Sequence, residues 1–126
     1  MSTTKPFIIE DRIKSFGFAF KGIQTFIKTQ HNSWIHCVAS ILVLFLGYFL
    51  KVTINEWCML IFSIAIVVIS EMLNTAIEFI CDFISPQIHP QIKKIKDIAA
   101  GAVLVAVFAA VIIGTIIFLP KIINCF

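Results

Sequence analysis

The chain has 126 residues, of which 60% are hydrophobic and only 13% are charged, and its mean hydropathy is +1.01. Soluble domains usually carry about 25% charged residues, so this composition indicates an integral membrane protein with a single domain over residues 1–126. The net charge of +3 is spread along the chain, which argues against a nucleic-acid-binding protein.

The segment 7–30 has the pattern of an amphipathic helix. Apolar residues such as Phe16 and Phe20 recur at helical spacing, and lysines lie largely on the opposite side. A helix with a basic polar face lies in the plane of the membrane interface. Gly17 and Gly22 are expected to weaken this helix without abolishing it.

Three later segments are candidates for membrane-spanning helices, namely 34–50, 56–80 and 98–119. A spanning helix needs about 20 mostly apolar residues. The second segment reaches that length only by including the polar stretch that starts at Glu71. The third segment is expected to end at Pro120, since proline cannot continue a helix normally.

The lysines and arginines predict the orientation in the membrane. Eight of the ten basic residues fall in the N-terminal segment and in the 83–97 loop, whereas the 51–56 turn and the C-terminus carry one each. The positive-inside rule therefore places the N-terminus and the 83–97 loop in the cytoplasm and the C-terminus outside.

The second apolar segment ends in a stripe of polar residues: Glu71, Asn74, Thr75, Glu78 and Asp82. Residues three and four apart share one face of a helix, so these side chains are expected on one face. A carboxylate at the centre of a spanning helix costs about 2.5–3.5 kcal/mol on insertion scales. The stripe therefore needs a structural or a functional explanation.

Three interpretations of the stripe remain open on the residues alone. Glu78 and Asp82 could sit at the membrane edge while Glu71 makes an interhelical hydrogen bond. The stripe could instead conduct ions or protons. In the third interpretation it is a catalytic site at the cytoplasmic interface, where one carboxylate acts as a base and another holds a divalent cation.

The segment after the stripe favours the catalytic interpretation. Pro86 and Pro90 interrupt the helix, and a basic stretch follows that includes Lys96 and Asp97 at the start of the third span. A lysine and the free backbone N–H groups of a helix N-terminus can both bind phosphate. The chain has no Walker glycine loop and no protein-kinase motif set, so phosphoryl transfer here would belong to another class.

Four stretches of the sequence resemble the small bacterial membrane diacylglycerol kinase family, which also contains the undecaprenol kinases. These stretches are EMLNTAIEFICD (71–82), KDIAAGAVL (96–104), SFGFAFKGI (15–23) and HNSWIH (31–36). The resemblance covers about residues 12–118, and its central motif is highly specific.

The resemblance implies an all-α integral membrane protein with a surface helix and three spans, assembled as a homotrimer with composite sites between subunits. It implies transfer of the ATP γ-phosphate, with Mg²⁺, to a lipid alcohol in the bacterial inner membrane. The first expectation is diacylglycerol as acceptor, giving phosphatidic acid, and the alternative is undecaprenol, giving undecaprenyl phosphate. A non-catalytic membrane assembly protein or a small channel is the rival from a different class.

The same resemblance assigns roles to individual residues. Glu71 would be the general base on the lipid hydroxyl, and Asn74 and Arg12 would help to bind the lipid. Glu78 would bind the metal that bridges the ATP phosphates. The residues expected near the nucleotide are Phe18, Glu78, Gln87, His89, Lys96 and Asp97.

Three positions depart from the family pattern. Gln30 stands where a second metal-binding glutamate is expected, so that it offers a carbonyl oxygen but no charge. Asp11 stands where an arginine is expected, and Arg12 is its neighbour. Phe18 replaces a tyrosine that faces the nucleotide. His31 and His36 are interpreted as structural residues of the interface.

Overall fold

The computed structural model describes residues 4–126, which form four α-helices. The helices are α1 (Ile9–Thr29), α2 (His31–Phe49), α3 (Ile54–Ile84) and α4 (Pro90–Cys125). No strand occurs among the described residues, and α2, α3 and α4 are long and apolar enough to cross a membrane. The expected all-α membrane fold is confirmed.

The lengths of the three apolar helices differ. At about 1.5 Å rise per residue, the 19 residues of α2 span roughly 28 Å, close to the thickness of a hydrocarbon core. The 31 residues of α3 and the 36 residues of α4 span roughly 46 and 54 Å. The longer helices therefore exceed the thickness of a bilayer core. Because Glu71 pairs with His36 near the start of α2, the last residues of α3 extend beyond that start.

The junction between α1 and α2 is a single extended residue, Gln30. The buried Ser33 donates to the Gln30 carbonyl through its backbone N–H (3.1 Å) and its hydroxyl (2.6 Å). These bonds fix the change of direction between the helices. Helix α1 itself runs unbroken through Gly17 and Gly22, so the glycines do not interrupt it.

The turn between α2 and α3 carries recognisable signals at both helix ends. Lys51 has a φ of 53°, and the N–H groups of Lys51 and Val52 bond back to the Tyr48 and Gly47 carbonyls in a Schellman arrangement. Helix α3 then starts with a capping box, in which the side chains of Thr53 and Glu56 each accept from the other's backbone N–H.

Helices α3 and α4 form the main packed pair and run antiparallel. Glu56 at the start of α3 bonds to Lys121 near the end of α4 at 3.1 Å, and Asp82 near the end of α3 bonds to Lys96 near the start of α4 at 2.6 Å. Between these ion pairs, near the Glu56 end, lies the buried apolar cluster formed by Val52, Leu60, Ile117 and Phe118.

The expected helix stop at Pro120 is wrong, because α4 continues through Pro120 to Cys125. A proline within a helix loses one hydrogen bond and usually bends or ends it. Here the residues on both sides are anchored, since Ile117 and Phe118 are buried and Lys121 is bound to Glu56. The tertiary contacts therefore keep the last turn helical.

Candidate functional site

The polar residues of α3 share one face, as their spacing predicts. Glu71 and Thr75 are buried, Asn74 and Glu78 are half-buried, and Asp82 is exposed. The Thr75 hydroxyl donates to the Glu71 backbone carbonyl at 2.9 Å, so it needs no partner outside the helix. Exposure thus increases along the face toward the end of α3.

Glu71 has a partner on another helix. Its Oε1 lies 2.9 Å from Nε2 of His36 on α2, and the two side chains are only 12% and 22% exposed. His36, which the sequence indicated as a structural residue of the interface, thus links α2 to α3 through Glu71. An interhelical hydrogen bond of Glu71 was part of one of the three interpretations of the stripe, and that bond is present.

One turn further along α3, Asn74 and Glu78 are joined side chain to side chain. Asn74 Nδ2 donates to Glu78 Oε1 at 3.1 Å. Asn74 Oδ1 is buried, and no donor within residues 4–126 reaches it. A buried acceptor without a partner is unfavourable, so this oxygen is available to a ligand, a water molecule or a cation.

A polar cavity of about 310 Å³ lies where α3 ends and α4 begins. Four of the residues that the sequence assigned to the nucleotide line it, together with Asp82 and Lys93; the four are Gln87, His89, Lys96 and Asp97. The chain fold therefore brings these four predicted residues together. Phe18 and Glu78 do not line this cavity.

The charges of this cavity are internally paired. Lys96 Nζ bonds to Asp82 Oδ1 and Lys93 Nζ bonds to Asp97 Oδ2, both at 2.6 Å. Lys96 precedes the apolar span 98–119, and its hydrogen bond to the Asp82 carboxylate raises the pKa of Lys96 above its ordinary value. Lys96 is thus a cation at neutral pH, and a bound phosphate would share it with Asp82.

His89 is the N-cap residue of α4 at this cavity. Its Nδ1 accepts a hydrogen bond from the Gln91 backbone N–H at 3.1 Å and so caps the N-terminus of α4. Pro90 follows at the first helical position, where its missing N–H costs nothing. The cap commits Nδ1 and therefore makes Nε2 the ring nitrogen that a ligand can use.

A second, larger cavity of about 480 Å³ lies among α2, α3 and α4. Its lining is almost wholly apolar and includes small residues such as Ala39, Ala110 and Gly114. His36 is one of its few polar lining residues. The cavity therefore reaches the residue that holds Glu71, and its walls suit hydrocarbon.

The site residues expected on α1 and at its end lie elsewhere in the single chain. Arg12 and Phe18 are exposed on α1 and line neither cavity, and the Arg12 guanidinium lies 5.5 Å from the centre of the Phe7 ring. Gln30 is half-buried at the α1–α2 junction, and its side chain does not cap α2. Their predicted roles stay predictions.

The donor set on α3 fits a magnesium ion only in part. Within residues 4–126 no three His, Cys, Asp or Glu side chains cluster as a metal site. Glu78 offers a carboxylate, and the unpartnered Oδ1 of Asn74 lies one turn away. Mg²⁺ is typically held by one or two carboxylates with substrate phosphates and water completing its shell, so this pair fits a metal that arrives with a nucleotide.

Taken together, the fold defines a multi-pass membrane protein with a line of carboxylates that runs from a buried position to a polar cavity. The chain belongs to the prokaryotic diacylglycerol kinase family, whose model matches residues 17–118. It is therefore a lipid kinase, and membership of this kinase family implies that it uses ATP.

Three curated relatives were compared with the chain. It is 42% identical to an undecaprenol kinase of Bacillus subtilis over 108 residues, which cover 86% of this chain and 88% of that protein. It is 36% identical to a diacylglycerol kinase of Synechocystis sp., covering 87% and 63% of the two chains. It is 33% identical to a diacylglycerol kinase of Escherichia coli K12, covering 79% and 82%.

Two partners in this region were not found by sequence reasoning, namely His36 for Glu71 and Asp82 for Lys96. Asp82 was placed on the polar stripe, but its bond to α4 was not predicted. For His36 the only available signal was a histidine at the start of an apolar span, which by itself is not specific. Both contacts join residues on different helices, and their spacing in the sequence does not reveal them.

Proposed function

We propose that this lipid kinase transfers the γ-phosphate of ATP to the hydroxyl of diacylglycerol at the cytoplasmic face of the bacterial inner membrane. The observation that carries the proposal is the buried Glu71, which begins the α3 polar face that leads to the polar cavity. Diacylglycerol is the substrate in the family's name and in the names of two of the three compared relatives.

Undecaprenol is the second candidate acceptor. It is favoured by the relative with 42% identity, whose name is undecaprenol kinase. The apolar cavity of about 480 Å³ accommodates hydrocarbon chains of either lipid and does not distinguish between them. An assay in which the two lipids compete for phosphate transfer therefore distinguishes the two candidate acceptors.

The chemistry proposed for Glu71 is general base catalysis. The carboxylate accepts the proton of the lipid hydroxyl while that oxygen bonds to the γ-phosphorus and the bond from phosphorus to the ADP oxygen breaks. Glu71 is largely removed from water, since only 12% of its side chain is exposed. Asn74, one turn away, is proposed to orient the hydroxyl.

The nucleotide is proposed to bind at the polar cavity between α3 and α4. Lys96 would neutralise charge that develops on the phosphates, and Gln87, His89 and Asp97 would contact the nucleotide. Such catalysis depends mostly on positioning and electrostatic stabilisation. A small number of well-placed side chains can supply both, which is consistent with the small size of the chain.

Magnesium is proposed to be held by Glu78 together with the ATP phosphates, and Asn74 Oδ1 is the nearest further oxygen on α3. When bound, the ion would neutralise phosphate charge and align the γ-phosphate. Gln30 is proposed as a neutral oxygen ligand in place of the expected glutamate. A neutral ligand binds a divalent cation less strongly than a carboxylate does, so we expect a raised Mg²⁺ requirement.

The remaining proposals concern the assembly. Arg12 and Phe18 on α1 lie in neither cavity of their own chain, which is consistent with a role at composite sites in a homotrimer. The basic N-terminal segment and the 83–97 loop are proposed to face the cytoplasm. Helix α1 is proposed to lie at that interface and to cover the site.

The test is phosphate transfer from labelled ATP in detergent–lipid micelles with Mg²⁺, with diacylglycerol and undecaprenol offered separately and in competition. We expect transfer by the native protein and a loss of about 100- to 10,000-fold in Glu71→Gln, the range typical of removing a general base. Glu56→Gln, at the opposite end of α3, is the matched control and is expected to retain activity.

Two results would contradict the proposal. Absence of transfer to both lipids by a folded protein would exclude this activity, and full activity of Glu71→Gln would exclude the base. Preference for undecaprenol in the competition would replace diacylglycerol as the acceptor while leaving the mechanism intact.

A further inference from the structure

The bond between His36 and Glu71 is not used by any of the roles assigned above. We propose that His36 is a positioning residue that holds the Glu71 carboxylate in its reactive orientation, an inference that rests on the proposed kinase function. Among the described residues, this is the side-chain hydrogen bond that links α2 to α3. It acts on the one carboxylate of the α3 face that is buried.

The geometry gives the two oxygens of Glu71 different tasks. Oε1 lies 2.9 Å from His36 Nε2, whereas no described residue donates a hydrogen bond to Oε2. A glutamate side chain has three rotatable bonds, and a fixed Oε1 restricts them. The bond therefore leaves Oε2 as the oxygen that meets the lipid hydroxyl.

The direction of this hydrogen bond follows from the chemistry of the base. An ionised carboxylate only accepts hydrogen bonds, so His36 Nε2 carries the proton when Glu71 is ready to act. When Glu71 takes the hydroxyl proton on Oε2, its Oε1 continues to accept from Nε2–H. Glu71 alone receives the hydroxyl proton, and His36 keeps its own protons throughout the step.

The second observation is the location of His36 itself. Its side chain lines the apolar cavity of about 480 Å³ and at the same time contacts Glu71. A lipid alcohol is largely hydrocarbon with a single reactive hydroxyl, so a carboxylate held at the edge of an apolar cavity matches its two parts. His36 is thus placed to fix the base where the apolar cavity meets the polar face of α3.

The experiment compares His36→Ala with His36→Gln, because glutamine retains an N–H donor on a side chain of similar reach. We expect His36→Ala to lower kcat by about 10- to 100-fold, the loss expected when a catalytic group is misplaced by about 1 Å. The KM for ATP should stay unchanged, and His36→Gln should recover most of kcat. Cys37→Ala, at an exposed neighbour on α2, is the matched control.

A double-mutant cycle separates positioning from a general structural role. If His36 acts through Glu71, adding His36→Ala to Glu71→Gln should cost no further activity, because the carboxylate that it orients is already gone. An equal loss of kcat in both backgrounds would overturn the proposal. So would full kcat in His36→Ala, or equal impairment of His36→Ala and His36→Gln.

Failure of this proposal is distinguishable from failure of the kinase assignment. An active native protein with an inactive Glu71→Gln and a fully active His36→Ala would refute positioning by His36 and leave the kinase function in place. An inactive native protein would refute the proposed function and, with it, the role of His36.

Discussion

Glu71 illustrates how a carboxylate is tolerated within a spanning helix. Burial of a charged group without partners is strongly unfavourable. Here the Glu71 side chain is hydrogen-bonded to His36 at 2.9 Å. The Thr75 hydroxyl on the next turn donates to the Glu71 backbone carbonyl. The bond to His36 therefore reduces the cost of burying the carboxylate and keeps it in one place.

Lys51 is the described non-glycine residue with a left-handed backbone, at φ 53°. It occupies the position after the end of α2 where glycine is preferred, because a Cβ is unfavourable in this conformation. The turn is held by the bond from the Val52 N–H to the Gly47 carbonyl at 3.2 Å. Hydrogen bonds of neighbouring residues therefore hold Lys51 in this unfavourable backbone conformation.

Replacing Lys51 by glycine should stabilise the protein. We expect Lys51→Gly to raise the free energy of unfolding by about 1 kcal/mol, because the Cβ penalty is removed. Lys51→Ala retains a Cβ and loses only the charge, so it should bring no such gain. Denaturant unfolding of both variants in detergent micelles measures the difference, and an equal gain in both would point to the charge instead.

At the level of elements, α2 and α3 approach closely near their shared turn. A Cβ built on Gly47 would lie 2.9 Å from Cη2 of the Trp57 indole and within 3.3 Å of two further ring atoms. Any side chain at position 47 would therefore displace the Trp57 indole or separate the two helices. Helices α2 and α3 are therefore in contact at two places: Gly47 and Trp57 meet near the turn, and His36 bonds to Glu71 near the start of α2.

We expect Gly47→Ala to lower the free energy of unfolding by about 1–3 kcal/mol, the usual effect of overpacking. Gly22→Ala is the control, because no described atom outside its own local helix lies within 4 Å of a Cβ there. Trp57→Phe removes the six-membered ring of the indole. The double variant Gly47→Ala with Trp57→Phe should therefore lose less free energy of unfolding than the sum of the losses in the two single variants. Strict additivity would show that the ring is not the obstacle.

The junction of α3 and α4 is held by the exposed ion pair between Asp82 and Lys96. Exposed ion pairs contribute about 0–1 kcal/mol to stability. Both residues line the polar cavity, so the greater effect of the pair is on the placement of the lysine.

Lys96→Ala should therefore affect nucleotide binding more than stability. We expect the KM for ATP to rise by about 10-fold or more, because a charge-assisted hydrogen bond to phosphate is lost. Lys94→Ala is the matched control, since Lys94 lies two residues away and lines neither cavity. Kinetics at varied ATP concentration test this, and an equal rise in both variants would indicate a general effect of positive charge.

For the whole molecule, the distribution of charge predicts the orientation in the membrane. Eight of the ten basic residues lie in the N-terminal segment and in the 83–97 loop, and this loop lines the polar cavity, whereas Cys125 is exposed near the other end of α4. The cavity that we propose as the nucleotide site must face the compartment that contains ATP. The positive-inside rule and the proposed nucleotide site therefore predict the same orientation.

An impermeant maleimide added to intact cells should label Cys125 and should not label the Cys125→Ala variant. A cysteine introduced as Lys94→Cys in that variant should react only after the membrane is made permeable. Labelling of position 94 in intact cells would reverse the proposed orientation. The same preparations, analysed by cross-linking, test whether the assembly is a trimer.

Much of the fold was predictable because it depends on local sequence. Apolar runs of sufficient length predicted the three spans, and the spacing of Glu71, Asn74 and Glu78 placed them on one face of α3. The capping box of Thr53 and Glu56 also has a local signature, the T-x-x-E pattern at the start of α3.

Other features depend on contacts between helices. Pro120 lies inside α4 because its neighbours are buried and Lys121 is bound to Glu56, more than 60 residues away in the sequence. Sequence periodicity determined which residues share a helix face. The tertiary structure decided which faces meet, and thereby paired His36 with Glu71 and Asp82 with Lys96, because helix register is set by the packing of side chains distant in the sequence.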